Sequence, residues 1–145
     1  MTMNRTWRNQ GASAVEFAII LPFLMIILFG IIEFSLALYD KAIVTNASRE
    51  AARAAVVYRW GAAPTLGELQ AQSEAIVSNY VNNRLVTFGT SNPVTVNVTE
   101  LGTTPNRSIS VTVSYRYDYL VLPAFISALT GGINLDATTE MRREE

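Results

Sequence analysis

Residues 17–32 read FAIILPFLMIILFGII, sixteen consecutive positions without a charge and nearly all of them apolar. At a rise of ~1.5 Å per residue this core covers ~24 Å, and the wider stretch from Ala12 to Leu38 covers ~40 Å, enough to cross the ~30 Å hydrocarbon layer of a bilayer. A buried helix of a water-soluble domain is the rival explanation, but the rest of the chain is too small to wrap so dense an apolar run. The reading is therefore a transmembrane helix over residues 12–38 in contact with membrane lipid, with Phe17, Pro22, Gly30 and Ile32 assigned to the span. Pro22 removes one backbone donor and is expected to bend it.

The flanks of this helix set its orientation. Arg5 and Arg8 precede it with no acidic residue among the first eleven, whereas Asp40, Lys41, Arg49 and Glu50 beyond it are mixed in sign. The excess of basic residues on one side predicts a cytoplasmic N-terminus, which puts residues 39–145 outside the cytoplasm.

Past the membrane the pattern remains helical through AIVTNASREAARAAVVYRW, and Gly61 and Pro64 are expected to end it. One helix of about 45 residues then starts in lipid and finishes in a domain. Ala47, Ala51 and Ala55 recur four apart, a stripe that admits close approach either of another helix or of the protein's own sheet. Thr65 and Glu68 have the spacing of a capping box, and Leu66, Leu69, Ile76, Val77, Tyr80 and Val81 follow at helical intervals, which predicts a second helix over residues 66–84.

The period then drops to two. Val94, Val96 and Val98 alternate with Thr95, Asn97 and Thr99, and Ile109, Val111, Val113, Tyr115, Tyr117 and Tyr119 alternate with polar neighbours. Gly102, Pro105 and Asn106 between the two runs are turn residues, so a hairpin is the economical connection. Residues Pro123 to Leu129 suggest a short helix, and Ile133, Leu135, Ala137, Thr139 and Met141 share one face of a third strand. The fold class is α+β: a long N-terminal transmembrane helix continuing into a small domain with a second helix and an antiparallel sheet of about three strands. Strands and amphipathic helix can bury one another without lipid, so residues 45–145 are expected to fold alone.

Composition narrows the function. Across 145 residues the chain has neither histidine nor cysteine, which removes the commonest general base, thiolate and imidazole metal sites, disulfides and every Ser-His or Cys-His nucleophile. The carboxylates Glu100, Asp118, Asp136 and Glu140 show no paired spacing. An enzyme is not expected, nor a cofactor or metal. A net charge of -1 with scattered basic residues argues against nucleic acid as a partner.

The informative junction is NQGASAVEFAIILP, where a short basic leader ends at Gly11, small residues follow, and Glu16 and Phe17 open the apolar run. A secretory cleavage site is a poor alternative, because its small residues should follow the hydrophobic stretch and here they precede it. The junction resembles a type IV prepilin site, with Glu16 at the fifth position once the chain is cut between Gly11 and Ala12. The aromatic Phe17 directly after it, GIIEFSLALYD, ASREAARAA and ATTEMRREE extend the resemblance to TadE-like minor pseudopilins of the tight-adherence (Flp) pilus system.

The resemblance implies a leader over residues 1–11, an assembly helix over 12–38 and an extracytoplasmic pseudopilin domain over 39–145. It implies as partners a prepilin peptidase acting at Gly11 and Ala12, other pilins and pseudopilins, and the inner-membrane assembly platform, in a machine for adhesion and biofilm growth. Glu16, with Phe17, would guide assembly by meeting the new amino group of Ala12, one helical turn earlier or on a neighbouring subunit. An uncleaved single-pass scaffold or receptor, or a TadF-like or truncated TadG-like relative, is the alternative. Glu33 reads as a boundary residue at the outer end of the span.

Overall fold

From Thr6 to Val56 Pro22 and, more weakly, Gly11 and Gly30 oppose helix formation, and the long apolar and alanine-rich segments favour it. In the computed structural model, which describes residues 6–57, 64–87, 92–103, 106–121 and 131–143, this stretch is a single 51-residue helix, α1, Thr6–Val56, with Pro22 inside it. It is somewhat longer than the sequence suggests. The leader's first five residues, Gly61, Pro105 and the expected short helix at Pro123 to Leu129 lie outside the described residues.

Helix α2 spans Leu66–Val81 and starts as the sequence predicts. The Glu68 amide donates to the Thr65 hydroxyl at 3.3 Å, while the Thr65 amide donates to the Glu68 carboxylate at 2.8 Å, so two donors of the first turn are satisfied reciprocally. The helix ends at Val81, short of residue 84, and Asn83 follows with φ at 59°, a left-handed conformation that asparagine tolerates. Its buried stripe is Leu69, Ser73, Val77 and Val81, spaced by fours. Leu66, by contrast, is exposed.

Strands β1 (Val94–Leu101), β2 (Ser108–Tyr117) and β3 (Ile133–Arg142) form an antiparallel sheet in the order β1-β2-β3. Val98 faces Val111 across the first ladder, and Val111 faces Thr139 across the second, which keeps one parity of each strand on the same side. Gly102 closes the β1–β2 hairpin at φ +81°, where a Cβ would come within 2.3 Å of the Asn106 carbonyl oxygen.

Both helices cover one face of this sheet, α1 over β2 and β3, and α2 over β1. Ile109, Val111, Val113, Tyr115 and Tyr117 of the central strand are all buried there. The edge strand β1 is tied to α2 by Gln70, whose amide donates to the Val96 carbonyl at 2.7 Å and accepts from the Val98 amide at 2.9 Å. A side chain thus occupies two of the edge groups that would otherwise be open to another strand.

Helix α1 and strand β3 climb together. Lys41 donates to the carbonyl of Asp136, and Ser48 shares a 2.8 Å hydroxyl contact with Thr139. Seven helical residues rise ~10.5 Å and three strand residues ~10 Å, so the two elements stay in step.

Candidate functional site along the long helix

The residues singled out by sequence lie on the lower part of α1. None of the residues from Gly11 to Ile32 is buried. Phe17, Ile20, Phe23, Ile27 and Ile31 each expose about 60% of their surface. A Cβ placed on Gly11 or Gly30 would meet nothing within 4 Å. Pro22 and Ile32 share this exposed surface, and Glu16 opens it as an exposed carboxylate one turn after Ala12. The structure brings these residues to one element, and none of them is part of the core formed by the described residues. Helix α1 has the length and apolar composition to cross a membrane from Gly11 onward.

The upper part is different. Ala37, Ile43, Val44, Ala47, Ala51, Ala52, Ala55 and Val56 are buried in the core. The alanine stripe is therefore taken by the protein's own sheet and helix α2, the second of the two uses open to it on sequence grounds. Alanine suits this stripe because a small side chain lets the helix backbone approach the sheet and α2 closely.

Two acidic residues share that buried face. Glu33 and Asp40 are seven residues apart, hence on one side of the helix, and are only 3% and 0% exposed. The docked stretch thus begins at Glu33, inside the segment assigned by composition to the span. Glu33 is more than a boundary residue. Its carboxylate accepts from the Tyr117 hydroxyl at 2.6 Å, from the Leu120 amide at 2.9 Å and from the Val121 amide at 2.7 Å. These donors come from the end of β2 and the chain just beyond it, where the sheet ladder has run out and amides need acceptors.

Asp40 is less well provided. One oxygen accepts from the Val86 amide at 2.9 Å, and the other is buried without a hydrogen bond. Burial pushes its carboxyl above the usual carboxylate value, against the opposing pull of the Val86 amide. Burial likewise raises the Tyr117 phenol well above its ordinary value, and the hydrogen bond to Glu33 raises it further. Tyr115 is raised by burial and then by the charges of Asp40 and Asp118. A phenol held neutral beside a carboxylate is a donor, so the Glu33–Tyr117 contact works as a latch between helix and sheet.

Sequence reading missed this pair of acids. A signal was present: Glu33, Ala37, Asp40, Val44, Ala47 and Ala51 repeat at three- and four-residue intervals, a single helical stripe that sets two carboxylates among small apolar residues. Among the described residues no cluster of three acidic side chains suited to a metal ion occurs.

No curated protein and no solved structure matches the chain. Residues 11–53 match the family model described as TadE-like protein, a segment that begins at the candidate junction and takes in both halves of α1 with Glu33 and Asp40, so the similarity to that family lies along this helix.

Proposed function

We propose that the protein is a minor pseudopilin serving the biogenesis of a tight-adherence pilus, a structural subunit and not an enzyme. A prepilin peptidase would cut between Gly11 and Ala12, and the exposed helix from Ala12 to Ile32 would hold the subunit in the inner membrane with its domain in the periplasm. There it would pack against other pilins and the assembly platform, with Glu16 meeting the freed amino group of Ala12. The observation that carries this reading is that the TadE-like match starts at Gly11, the residue that leader charge, Glu16 and the onset of the apolar run mark independently.

The fully exposed lower helix supports it physically. A surface of that kind is stable only against lipid or other apolar helices, and a subunit that passes from membrane to fibre needs both. The test is the mass of the membrane-bound chain in cells carrying the wild type and Glu16→Gln, with pili counted in parallel. A mature chain beginning at Ala12 in both, with fewer pili in the variant, is expected. A chain still carrying residues 1–11 would make it an uncleaved single-pass scaffold.

A further inference from the structure

The level at which the domain meets the helix does not coincide with the level at which a bilayer would end. A hydrocarbon core ~30 Å thick takes ~20 helical residues. Counted from Phe17, the first residue after Glu16, it ends near Leu36. Phe34, Leu38 and Tyr39, on the side of α1 away from the sheet, are 65%, 53% and 52% exposed, so the surface of the span stays largely apolar past Glu33, with Ser35 its one exposed polar residue before Tyr39. Ser35 returns its hydroxyl to the Ile31 carbonyl and Lys41 reaches the Asp136 carbonyl, and polar side chains dominate that side from Thr45, Asn46 and Arg49 onward. Tyr39 then sits where tyrosines gather at the edge of a membrane.

Glu33 lies three residues below Leu36, ~5 Å along the axis. The groups it holds are therefore below that level too: the Tyr117 hydroxyl and the amides of Leu120 and Val121. The described residues at this point are suited to the position, since Tyr119, Leu120 and Val121 and the start of β3, Ile133 to Leu135, carry no charged side chain. Ile133, paired with Tyr117 at the foot of β3, is 38% exposed on the helix side of the sheet. The nearest charges, Arg116 and Asp118, pair with each other at 3.5 Å and belong to the outer face.

We infer that the foot of the domain, Tyr117 to Val121 with Ile133, sits in the boundary layer of the membrane between headgroups and acyl chains, so that its partner is the lipid surface. Glu33 is then kept from lipid by the donors that the domain brings to it. This placement rests on the membrane-spanning reading of α1 and extends it from the helix to the domain. If the domain stood wholly in water, a span counted from Phe17 would stop at Ile32, ~6 Å short of the hydrocarbon core, so that Glu16 and the small residues before it would have to enter lipid to fill it, and Phe34 and Leu38 would be left in water.

The chain has no cysteine, which makes single labels simple. Full-length Phe23→Cys, Val121→Cys, Ile133→Cys and Leu101→Cys, each carrying an environment-sensitive nitrobenzoxadiazole dye, would be reconstituted in phosphatidylethanolamine and phosphatidylglycerol vesicles. The vesicles would contain a nitroxide lipid labelled either on the headgroup or in mid-chain. Leu101 is exposed at the far hairpin, ~30 Å along the strands from Tyr117, and serves as the aqueous reference.

Labels at Val121 and Ile133 are expected to be quenched several-fold more strongly by the headgroup nitroxide than the label at Leu101, and to be shielded from aqueous iodide. The label at Phe23 should respond most to the mid-chain nitroxide. If Phe23 is quenched by lipid while Val121 and Ile133 behave like Leu101, the inference fails and the spanning reading survives. If Phe23 is itself open to iodide, the spanning reading fails and takes the inference with it. Ile133, being exposed, keeps the test valid should Val121→Cys disturb the fold.

Discussion

The two halves of α1 are one helix by backbone and two materials by surface. From Gly11 to Ile32 no side chain is buried, and from Glu33 to Val56 one stripe is buried almost completely while the opposite side stays open. A lipid environment rewards apolar character at every angle around the axis, whereas a small domain rewards it on one side only. The lesson is that a continuous helix can hide the boundary between two solvents. What the surface does mark is where the domain takes hold of the helix, at the first side chain whose polar atoms the domain must satisfy, Glu33.

The most severe way to probe the difference is truncation. A fragment of residues 45–145, expected on sequence grounds to fold, lacks Glu33, Ala37, Asp40, Ile43 and Val44, all buried in the full chain. A fragment of residues 30–145 keeps them. The longer fragment is expected to unfold cooperatively in urea, and the shorter one to have lost most of the ~5–15 kcal/mol that such domains possess. Equal stability of the two would mean that the upper helix is only a spacer and would erase the contrast between the halves.

Substitutions at neighbouring positions sharpen the boundary. Glu33→Ala leaves the Tyr117 hydroxyl and two amides without their acceptor, at ~1–3 kcal/mol each for buried groups, so a loss of ~3 kcal/mol or more is expected. Phe34→Ala, one residue on but 65% exposed, should change urea stability by less than ~0.5 kcal/mol. Further up, Ala51→Leu forces three carbons into a site with no exposure and should cost ~1–3 kcal/mol, while Ala42→Leu on the open side should be nearly neutral. Circular dichroism of the four variants of the full chain in detergent measures both pairs.

Much of this architecture was legible in the residues, for reasons that differ by element. The lower helix declares itself because lipid demands a long run of one chemical kind. The strands do so because a half-buried sheet demands alternation, and Ile109, Val111 and Val113 are all buried as it requires, although Ser110 between the first two is buried with them. The Thr65–Glu68 box was readable because capping is local. What escaped was what depends on two distant segments at once. Glu33 looks like a membrane-edge carboxylate until Tyr117, Leu120 and Val121 arrive from more than eighty residues away, and Ser73 looks like a surface residue of α2 although it is 1% exposed. The candidate junction was legible as a pattern of residues, and Gly11 and Glu16 stand exposed on α1, outside the core that the described residues build.

Asp40 permits the finest test, since it is the one acid of the buried stripe that the domain serves incompletely. With its carboxyl raised from 3.8 by burial, the folded chain holds that proton more firmly than the unfolded chain does. Where the folded state binds more protons, stability falls as pH rises. This contribution is therefore fully present below about 4, declines as pH climbs towards the higher folded value, and is flat beyond it. Asp40→Asn fixes the group in the shape of the protonated acid: one oxygen still accepts from Val86, and the amide nitrogen takes the place of the oxygen that has no partner. Near pH 4 the variant and the parent should unfold at similar urea concentrations, and at pH 7 the variant should be the more stable, with a flatter pH profile between. Each unit by which burial raises the acid corresponds to ~1.4 kcal/mol, so the gap at pH 7 reads out how dry the upper helix is. A variant less stable than the parent at pH 7 would mean that the Asp40 site is wet and charged, and the upper half of α1 would then resemble an exposed surface more than a core.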